Sequence, residues 1–514
     1  MDGLVTTDLD RFRLRSFVER LVSEDEVDVI EAPVALADVA ARLDGNPKAV
    51  WFRNAGPERA ELVGNVMGSR RRLALALGVD ERDLLDEMRG RLARPIAPVE
   101  IASADAPVHQ VIMKGDDADL TELPVHLQHG LDGAPYISAT LDFSLDPKTG
   151  WTNVGMRRLM LRGRRDAGID LNAPSDLRVI YGGAHGRGDR LPIALAVGFH
   201  PADAIAALSL VVPQDEMALI GGLRGSAVPV VKCVTNELRV PADAELVLEG
   251  YLDADGWTEP EGPFGEYVGY YGRLKSNPVF HLTAITRRTD ALFQTATIGG
   301  RYMETTDTAQ LCALRTEAGM WAALETAVRE PVSVYVTASC GGMYNARLAL
   351  RQRVPGEARN AIAAVFGSTA DVKHLFVVDD DIDIFDDKQI DWALATRFQA
   401  DRDFVAASGF RAVPLDPSLE GARSGAKAGF DLTMPFGRTE AQEWAVPAPP
   451  QIMPAERRSL AQALADGPKY FSELMAAAGS DDGRDVIRDL ERLYAEGTLR
   501  RTEDGRYRLG DGED

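Results

Sequence analysis

The spacing of apolar positions changes character along the chain, and the changes divide it. Leu14–Leu21 has helical spacing, and the same period predicts helices over Ser69–Leu77 and Glu81–Leu92. The first hundred residues therefore read as mixed α/β. Pro95, Pro98 and Pro107 then mark a boundary. From about Asp119 to Thr295 the pattern becomes short β-like runs broken by Gly and Pro. Tyr136–Phe143, Ile193–Gly198, Val228–Cys233, Ala244–Gly250 and Val279–Ile285 are such runs. Helical runs at His200–Leu208 and Glu216–Arg224 interrupt them, which predicts a barrel-like β domain with helical insertions.

Between Thr308 and Asp403 helix and strand alternate: a helix over Thr308–Val328, a strand over Val332–Thr337, a helix over Gly356–Phe366, a strand over His374–Asp379, and a helix over Gln389–Phe398. That order predicts an α/β layer. Asn345–Val354 shows no clean pattern. After Pro450 three helices (Glu456–Leu464, Tyr470–Ala477, Arg484–Ala495) precede a hairpin over Leu499–Leu509, the order of a winged helix. The expected divisions are 1–107, 108–300, 301–450 and 451–514.

The chain has 514 residues, enough for several cores, and a net charge of −22. That charge argues against phosphate-driven nucleic-acid binding. The last module agrees: Arg484, Arg488 and Arg492 form a stripe, but residues 455–514 hold ten Lys+Arg against fourteen Asp+Glu. The three cysteines are far apart and show no CxxC, so reduced thiols in a cytoplasmic protein are expected. No apolar run is long enough to span a membrane, and the N-terminus lacks the regions of a signal peptide.

The chemistry concentrates at Glu261-Gly-Pro-Phe-Gly-Glu266. Two acids flank a proline and two glycines, which predicts a tight, rigid loop rather than a helix face. Two carboxylates held close do not both ionise easily, and one is pushed toward a proton donor. The alternative is a surface turn with solvated acids. Four other stretches accompany it. Trp151–Leu159 offers the Asn153 amide, close backbone approach at Gly155 beside Met156, and the Arg158 guanidinium; alone it reads as a strand with exposed arginines. Pro213–Gly225 opens a helix with Asp215 and Glu216 and carries unusual glycines. Ser424–Thr433 sets Lys427 among small residues, either to hold a phosphate or as a flexible loop. Asp379–Asp381 reads as a cation site or, more simply, a strand end facing solvent.

In this order the motifs Asn-x-Gly-x-x-Arg, Asp-Glu…Gly-x-Leu-Arg-Gly, Glu-Gly-Pro-Phe-Gly-Glu, Val-Val-Asp-Asp-Asp-Ile-Asp and Lys-x-Gly-x-Asp-x-Thr resemble the UbiD-type decarboxylases, from about Leu14 to Phe436. The resemblance implies an α/β (α+β) fold with a central split β-barrel for the flavin, flanked by an N-terminal α/β region and a C-terminal α/β oligomerisation domain, plus the winged-helix-like tail. It implies prenylated FMN supplied by a flavin prenyltransferase, Mn²⁺ or a similar dication, K⁺, and a homodimer or higher homo-oligomer. It implies Arg158, Glu261 and Glu266 as the catalytic set, with Glu266 the proton donor. Asn153, Gly155, Met156, Arg158, Ser175, Glu216 and Lys427 would hold the cofactor, and Asn153 and Glu216 the metal. The implied reaction is non-oxidative, reversible decarboxylation of an aromatic or heteroaromatic acid, releasing CO₂ through a covalent prenylated-FMN adduct. Losing CO₂ from an sp² carbon leaves an unstabilised carbanion, which explains the need for such a cofactor.

One departure stands out. The family histidine about twenty residues after the asparagine is absent from Gly168–Leu177, and His185 sits at another spacing. A backbone carbonyl, Asn172, Ser175 or Asp176 would have to replace it. The Ala173-Pro-Ser-Asp176 variant draws the substrate toward pyrrole, furan, indole or phenazine acids. Three alternatives remain: an acrylic-type α,β-unsaturated acid as substrate, an inactive family member, and a flavin-bodied regulator that binds DNA through its tail. Ile298–Glu304 is the stretch expected at the substrate.

Overall fold

The computed structural model describes residues 8–209, 214–369, 371–437, 446–453 and 457–510. The chain forms two compact units, Met1–Thr433 and Met434–Asp514. Among the described residues no helix is long and apolar enough to cross a membrane.

In the first unit, the N-terminal region is a four-stranded sheet of Val27–Ile30, Ala49–Ala55, Ala60–Gly64 and, from far along the chain, Phe293–Gln294. The helix Leu14–Ser23 covers it. Its Leu14, Phe17, Val18 and Leu21 recur at helical spacing and pack with Trp51, Val63 and Leu292.

The centre is a closed barrel of six strands: β1 (Tyr136–Leu145), β2 (Thr152–Leu161), β3 (Asp166–Ile169), β4 (Leu191–Val197), β5 (Leu246–Leu252) and β6 (Val279–Arg287). The neighbour order is β1-β2-β3-β6-β5-β4 and back to β1, all antiparallel. Closure leaves no open edge among these strands. A register shift between Ile137 and Thr140 of β1 re-aims the residues that follow. Three helices are inserted: α1 (Asp176–Arg187) between β3 and β4, then α2 (Pro201–Ala207) and α3 (Glu216–Arg224) between β4 and β5. Ser175 caps α1 and Asp215 caps α3, each accepting from the third backbone N–H onward. The caps fix where Asp176 and Glu216 begin their helices.

The C-terminal part carries α4 (Asp307–Ala327) and a five-stranded sheet with α5 (Glu357–Ser368) and α6 (Asp387–Arg397). The strands are β7 (Pro331–Val336), β8 (Asn345–Leu350), β9 (His374–Asp379), β10 (Phe404–Arg411) and β11 (Ser424–Asp431), in the order β7-β8-β9-β11-β10. Two expectations are corrected. Asn345–Leu350, patternless in sequence, is a buried strand, and Ser424–Thr433 is not a flexible loop but mostly β11, hydrogen-bonded on both sides. Asn345–Leu350 is buried on both faces and needs no polar alternation, so period two is lost there, while the glycines and small residues of β11 mask its strand character. The Asp379–Asp381 run lies at the end of β9, with Asp380 and Asp381 exposed to solvent and each paired with an arginine. Asp380 pairs with Arg351 at 2.5 Å, Asp381 with Arg397 at 2.6 Å, and Asp379 accepts from Gln352 at 3.0 Å.

The second unit holds three helices, Leu460–Ala465, Phe471–Ala478 and Arg484–Ala495, and the paired strands Leu499–Arg501 and Tyr507–Leu509. Leu460, Leu464, Leu474, Val486, Leu490 and Leu499 form its core. Two of the three stripe arginines are matched by acids, Arg484 by Asp482 at 2.6 Å and Arg492 by Asp489 at 3.2 Å.

One buried ion cluster ties α2, α3 and the approach to β5. Arg224 contacts Asp203 and Asp243, each at 2.6 Å, and all three side chains are nearly inaccessible. Removing only the cation strands two buried carboxylates. Arg224→Met should therefore cost about 3–5 kcal/mol in denaturant unfolding. The triple variant Arg224→Met/Asp203→Asn/Asp243→Asn should recover much of that loss.

Candidate active site

The loop that dominates the sequence is two short ladders. Glu259–Glu261 pairs with Lys275–Asn277, and Phe264–Gly265 pairs with Tyr271–Gly272. The Gly262–Pro263 bond between them is cis. A second loop holds this one in place. Gly265 N–H donates to Asp132 Oδ1 at 3.0 Å, and Gly133 N–H to the Pro263 carbonyl at 2.9 Å. A Cβ on Gly133 would stand 2.2 Å from the Gly262 oxygen, so only glycine allows this approach.

The acids meet Arg158 on β2. Its Nε donates to Glu261 Oε1 at 3.1 Å, and its two terminal nitrogens donate to the two oxygens of Glu266, each at 3.2 Å. Nη2 also reaches Asp170 Oδ2, just past β3, at 3.0 Å. Phe264 backs the guanidinium at 4.3 Å from its ring centroid. Lys275 closes the circuit, with Nζ 3.0 Å from both Asp170 and Glu266. Asn277 donates to Glu261 Oε2 at 3.2 Å. Glu261 and Glu266 are 1% and 2% exposed, so these contacts replace water rather than supplement it. Burial opposes the charge on Arg158, but Glu266, Glu261 and Asp170 together raise its pKa. Burial likewise opposes ionisation of Asp170, yet Arg158 and Lys275 hold it well below the usual carboxylate range. Burial, then Glu261, keeps the Tyr136 phenol protonated. The two acids are thus not the bare pair that the sequence predicts: three carboxylates share two cations.

A cleft of about 570 Å³ runs along β2 and the starts of α1 and α3. Asn153, Gly155, Met156, Ser175, Asp176 and Glu216 line it, and Asp170 links it to the acid cluster. Glu216 accepts from the Val154 N–H, and burial pushes its carboxyl up to about 7. Behind Gly155 lies Asp142, whose buried carboxyl has no hydrogen-bond partner among the described residues and lies 3.4 Å from Arg157. A Cβ on Gly155 would meet Asp142 Oδ1 at 2.8 Å. Among the described residues no three His, Cys, Asp or Glu side chains are grouped to hold a metal ion. His185 does not line the cleft; its Nδ1 donates to the Ala254 carbonyl at 2.7 Å. Asn172 belongs to the acid cluster, donating to Asp170 at 3.1 Å.

A second cavity, of about 380 Å³, includes Ile298, Gly299, Gly300 and Arg301 from the stretch expected at the substrate. His126, Gln128, His129 and Tyr271 share it. His129 and Tyr271 pack on the acid loop, and Gly299 lies against Gly265 and Glu266.

Three family models match the chain in succession. They are the N-terminal domain (residues 14–92), the Rift-related domain (99–302) and the C-terminal domain (309–432) of 3-octaprenyl-4-hydroxybenzoate carboxy-lyase, UbiD. The chain belongs to the UbiD family. It is 30% identical over 420 residues to anhydromevalonate phosphate decarboxylase of Methanosarcina mazei, covering 82% of this chain and 95% of that protein. Among solved structures, HmfF of Pelotomaculum thermopropionicum in complex with FMN superposes with a TM-score of 0.80 at 31% identity, covering 85% of this chain and 97% of that one. Klebsiella pneumoniae 3,4-dihydroxybenzoic acid decarboxylase gives 0.79 at 28%, with coverages of 85% and 97%. This UbiD-family chain is a carboxy-lyase of the class whose structures carry FMN or prenylated FMN.

Within that frame Arg158, Glu261 and Glu266 come together, as do Asn153, Gly155, Met156, Ser175 and Glu216 in the cleft. Lys427 stands apart from both groups. It lies on β11, and its Nζ donates to the Phe366 carbonyl at 3.4 Å and to that of Thr369, at the end of α5. Sequence reading missed Asp170 and Lys275. The only available signal for Lys275 was its place opposite Glu261 in a two-stranded ladder.

Burial lowers Lys427 from 10.5 to about 8. Its folded pKa lies below its unfolded one, so between these values the unfolded chain binds the extra proton. The contribution of Lys427 to stability therefore rises with pH through that window. Measured by denaturant midpoint, Lys427→Met should lose ground to the wild type from pH 8 to 10.5, by up to about 3 kcal/mol. A pH-independent difference would remove the burial argument.

Proposed function

We propose that the chain decarboxylates an acid whose carboxylate sits on an sp² carbon, with aromatic and heteroaromatic acids first in line. The observation that carries this reading is the Arg158–Glu261–Glu266 cluster joined through Asp170 to a flavin-sized cleft. When bound, prenylated FMN supplies the electron sink that an sp² carbon lacks. The chain supplies the proton and its placement. Glu266 delivers a proton to the carbon that loses CO₂, and solvent restores it. Arg158 grips both oxygens of Glu266 and so fixes its direction. Glu261 occupies the remaining side of the guanidinium and keeps it from turning. Near-complete burial keeps water from competing as the proton source.

The donor set fits a dication. Asn153 and Glu216 offer oxygens to a hard ion such as Mn²⁺, and the Asp142 carboxyl, faced by Arg157, and the Asp176 side chain add negative charge nearby. In place of the absent histidine, Asp176 or Ser175 at the start of α1 is the nearest source of oxygen on the same cleft. The expected K⁺ rests on the family resemblance alone.

A second reading has its own support. The Methanosarcina mazei relative and a 27% identical one from Methanothermobacter thermautotrophicus are anhydromevalonate phosphate decarboxylases. Arg301 in the second cavity would suit a further anionic group on such a non-aromatic, phosphorylated acid. The DNA-binding alternative has weak support, since the tail is acidic overall and two stripe arginines are paired.

Protein co-produced with a flavin prenyltransferase should release prenylated FMN, identified by mass spectrometry. It should evolve CO₂ from either ring acids or phosphorylated unsaturated acids; turnover of only the latter would replace the first reading with the second. Glu266→Gln should lower the rate by roughly 10²–10⁴-fold with the flavin still bound. Loss of less than about tenfold would exclude Glu266 as the proton donor.

A further inference from the structure

The cleft read above as the flavin site is rich in acids. Asp146, Asp170, Asp176 and Glu216 line it, yet FMN brings a phosphate of the same sign. Its retention requires cations, and four line the same cleft: Lys148, Arg157, Arg187 and Arg315. Three of these are poorly placed to serve. Lys148 is exposed on the turn after β1. Arg187 is exposed and tied to Asp189 at 2.8 Å. Arg157 also has a buried Nε without a hydrogen-bond partner among the described residues, but that Nε faces the Asp142 carboxylate at 3.4 Å, and the guanidinium donates to its neighbour's carbonyl.

Arg315 differs. It projects from α4, and its side chain is 23% exposed. Nη2 donates to Asp371 Oδ2 at 2.9 Å. Nε is buried and has no hydrogen-bond partner among the described residues. Buried donors in folded proteins are nearly always satisfied, so one left over on the wall of a cleft points to an acceptor that arrives with a ligand. A guanidinium carries five N–H groups in a planar fork, so one carboxylate contact leaves directions for a second anion.

We propose that Arg315 holds the phosphate of the flavin mononucleotide, with Asp371 orienting the guanidinium. This rests on the flavin reading of the cleft and adds a residue that no motif marked. Lys427 was expected at this phosphate from sequence. It is only 3% exposed, spends Nζ on carbonyls, and has Asp371 as its sole charged influence, so Asp371 connects both cations. Arg315, unlike Lys427, lines the cleft wall itself.

The test separates phosphate from ring. FMN and riboflavin, which differ only by the phosphate, are titrated into the full-length apoprotein and followed by flavin fluorescence. Arg315→Met should weaken FMN on the order of 10- to 100-fold, the size expected for a charge-assisted contact, and leave riboflavin within about threefold. Arg315→Lys should recover part of the loss, because it restores the charge without the fork. Unchanged thermal midpoints confirm that the variants fold. FMN affinity unchanged in Arg315→Met overturns the proposal while leaving the flavin site intact. Equal weakening of both flavins overturns it too, and assigns Arg315 to shaping the cleft. A wild type that binds neither flavin overturns the flavin reading, and this proposal with it.

Discussion

Everything at the centre of this protein depends on one guanidinium. Arg158 gathers Asp170 and the two acids of the 261–266 loop, Glu261 and Glu266, into one contact shell, with Lys275 as the second cation. Buried carboxylates are tolerated only when such partners replace the water they lose. The acid loop therefore cannot settle before β2 presents Arg158. Its backbone is then held by the 129–133 loop, through Asp132 and the glycine at 133. The cluster is thus a structural junction as well as the proposed chemical site.

Barrel closure makes the rest possible. Because β2 is flanked by β1 and β3, its successive residues serve different surroundings. Asn153 lines the cleft, Val154 and Met156 pack against the main core, and Arg158 meets the acid loop. The register shift in β1 lets Asp142 come under Gly155 without a side chain between them. Capping by Ser175 and Asp215 starts α1 and α3 at the cleft, so Asp176 and Glu216 occupy first turns, where negative charge suits the helix dipole. An acid-lined wall with few spare donors suits a hard cation better than an organic ligand alone, which explains why the flavin end needs separate cations.

Much of this was legible in sequence, and what was missed has physical causes. The long periodic helices matched because burial on one face leaves a period, and the barrel runs because they are short, apolar and bounded by Gly and Pro. Asn345–Leu350 did not, because it is buried at every position but its first, and Ser424–Asp431 did not, because its glycines and small residues read as loop. The acids, Arg158, Asn153 and Glu216 were visible through motif order. Asp170 and Lys275 were not, since their role exists only once the Glu261–Lys275 register brings residues from three segments together. Arg315 sits in a largely buried helix, and what distinguishes it is an unpaired Nε on the cleft wall with no carboxylate facing it. Lys427 shows the reverse: its small-residue setting looked like a phosphate loop and proved to be the interior of a sheet.

The balance of the cluster also bears on the chemistry. Three carboxylates against two cations leave neither Arg158 nor Lys275 uncommitted for an incoming acid. A substrate carboxylate that approaches Glu266 therefore meets no strong ion pair. For a decarboxylase that is an advantage, because the leaving group departs as neutral CO₂. A tight salt bridge to the departing carboxylate would stabilise the ground state more than the transition state and slow the reaction. Binding energy must then come from elsewhere on the substrate, from its apolar face or from a distant anionic group. On the proposed reading, the second cavity, with Arg301 at its wall and the acid loop on one side, would let such remote contacts act without restraining the carboxylate.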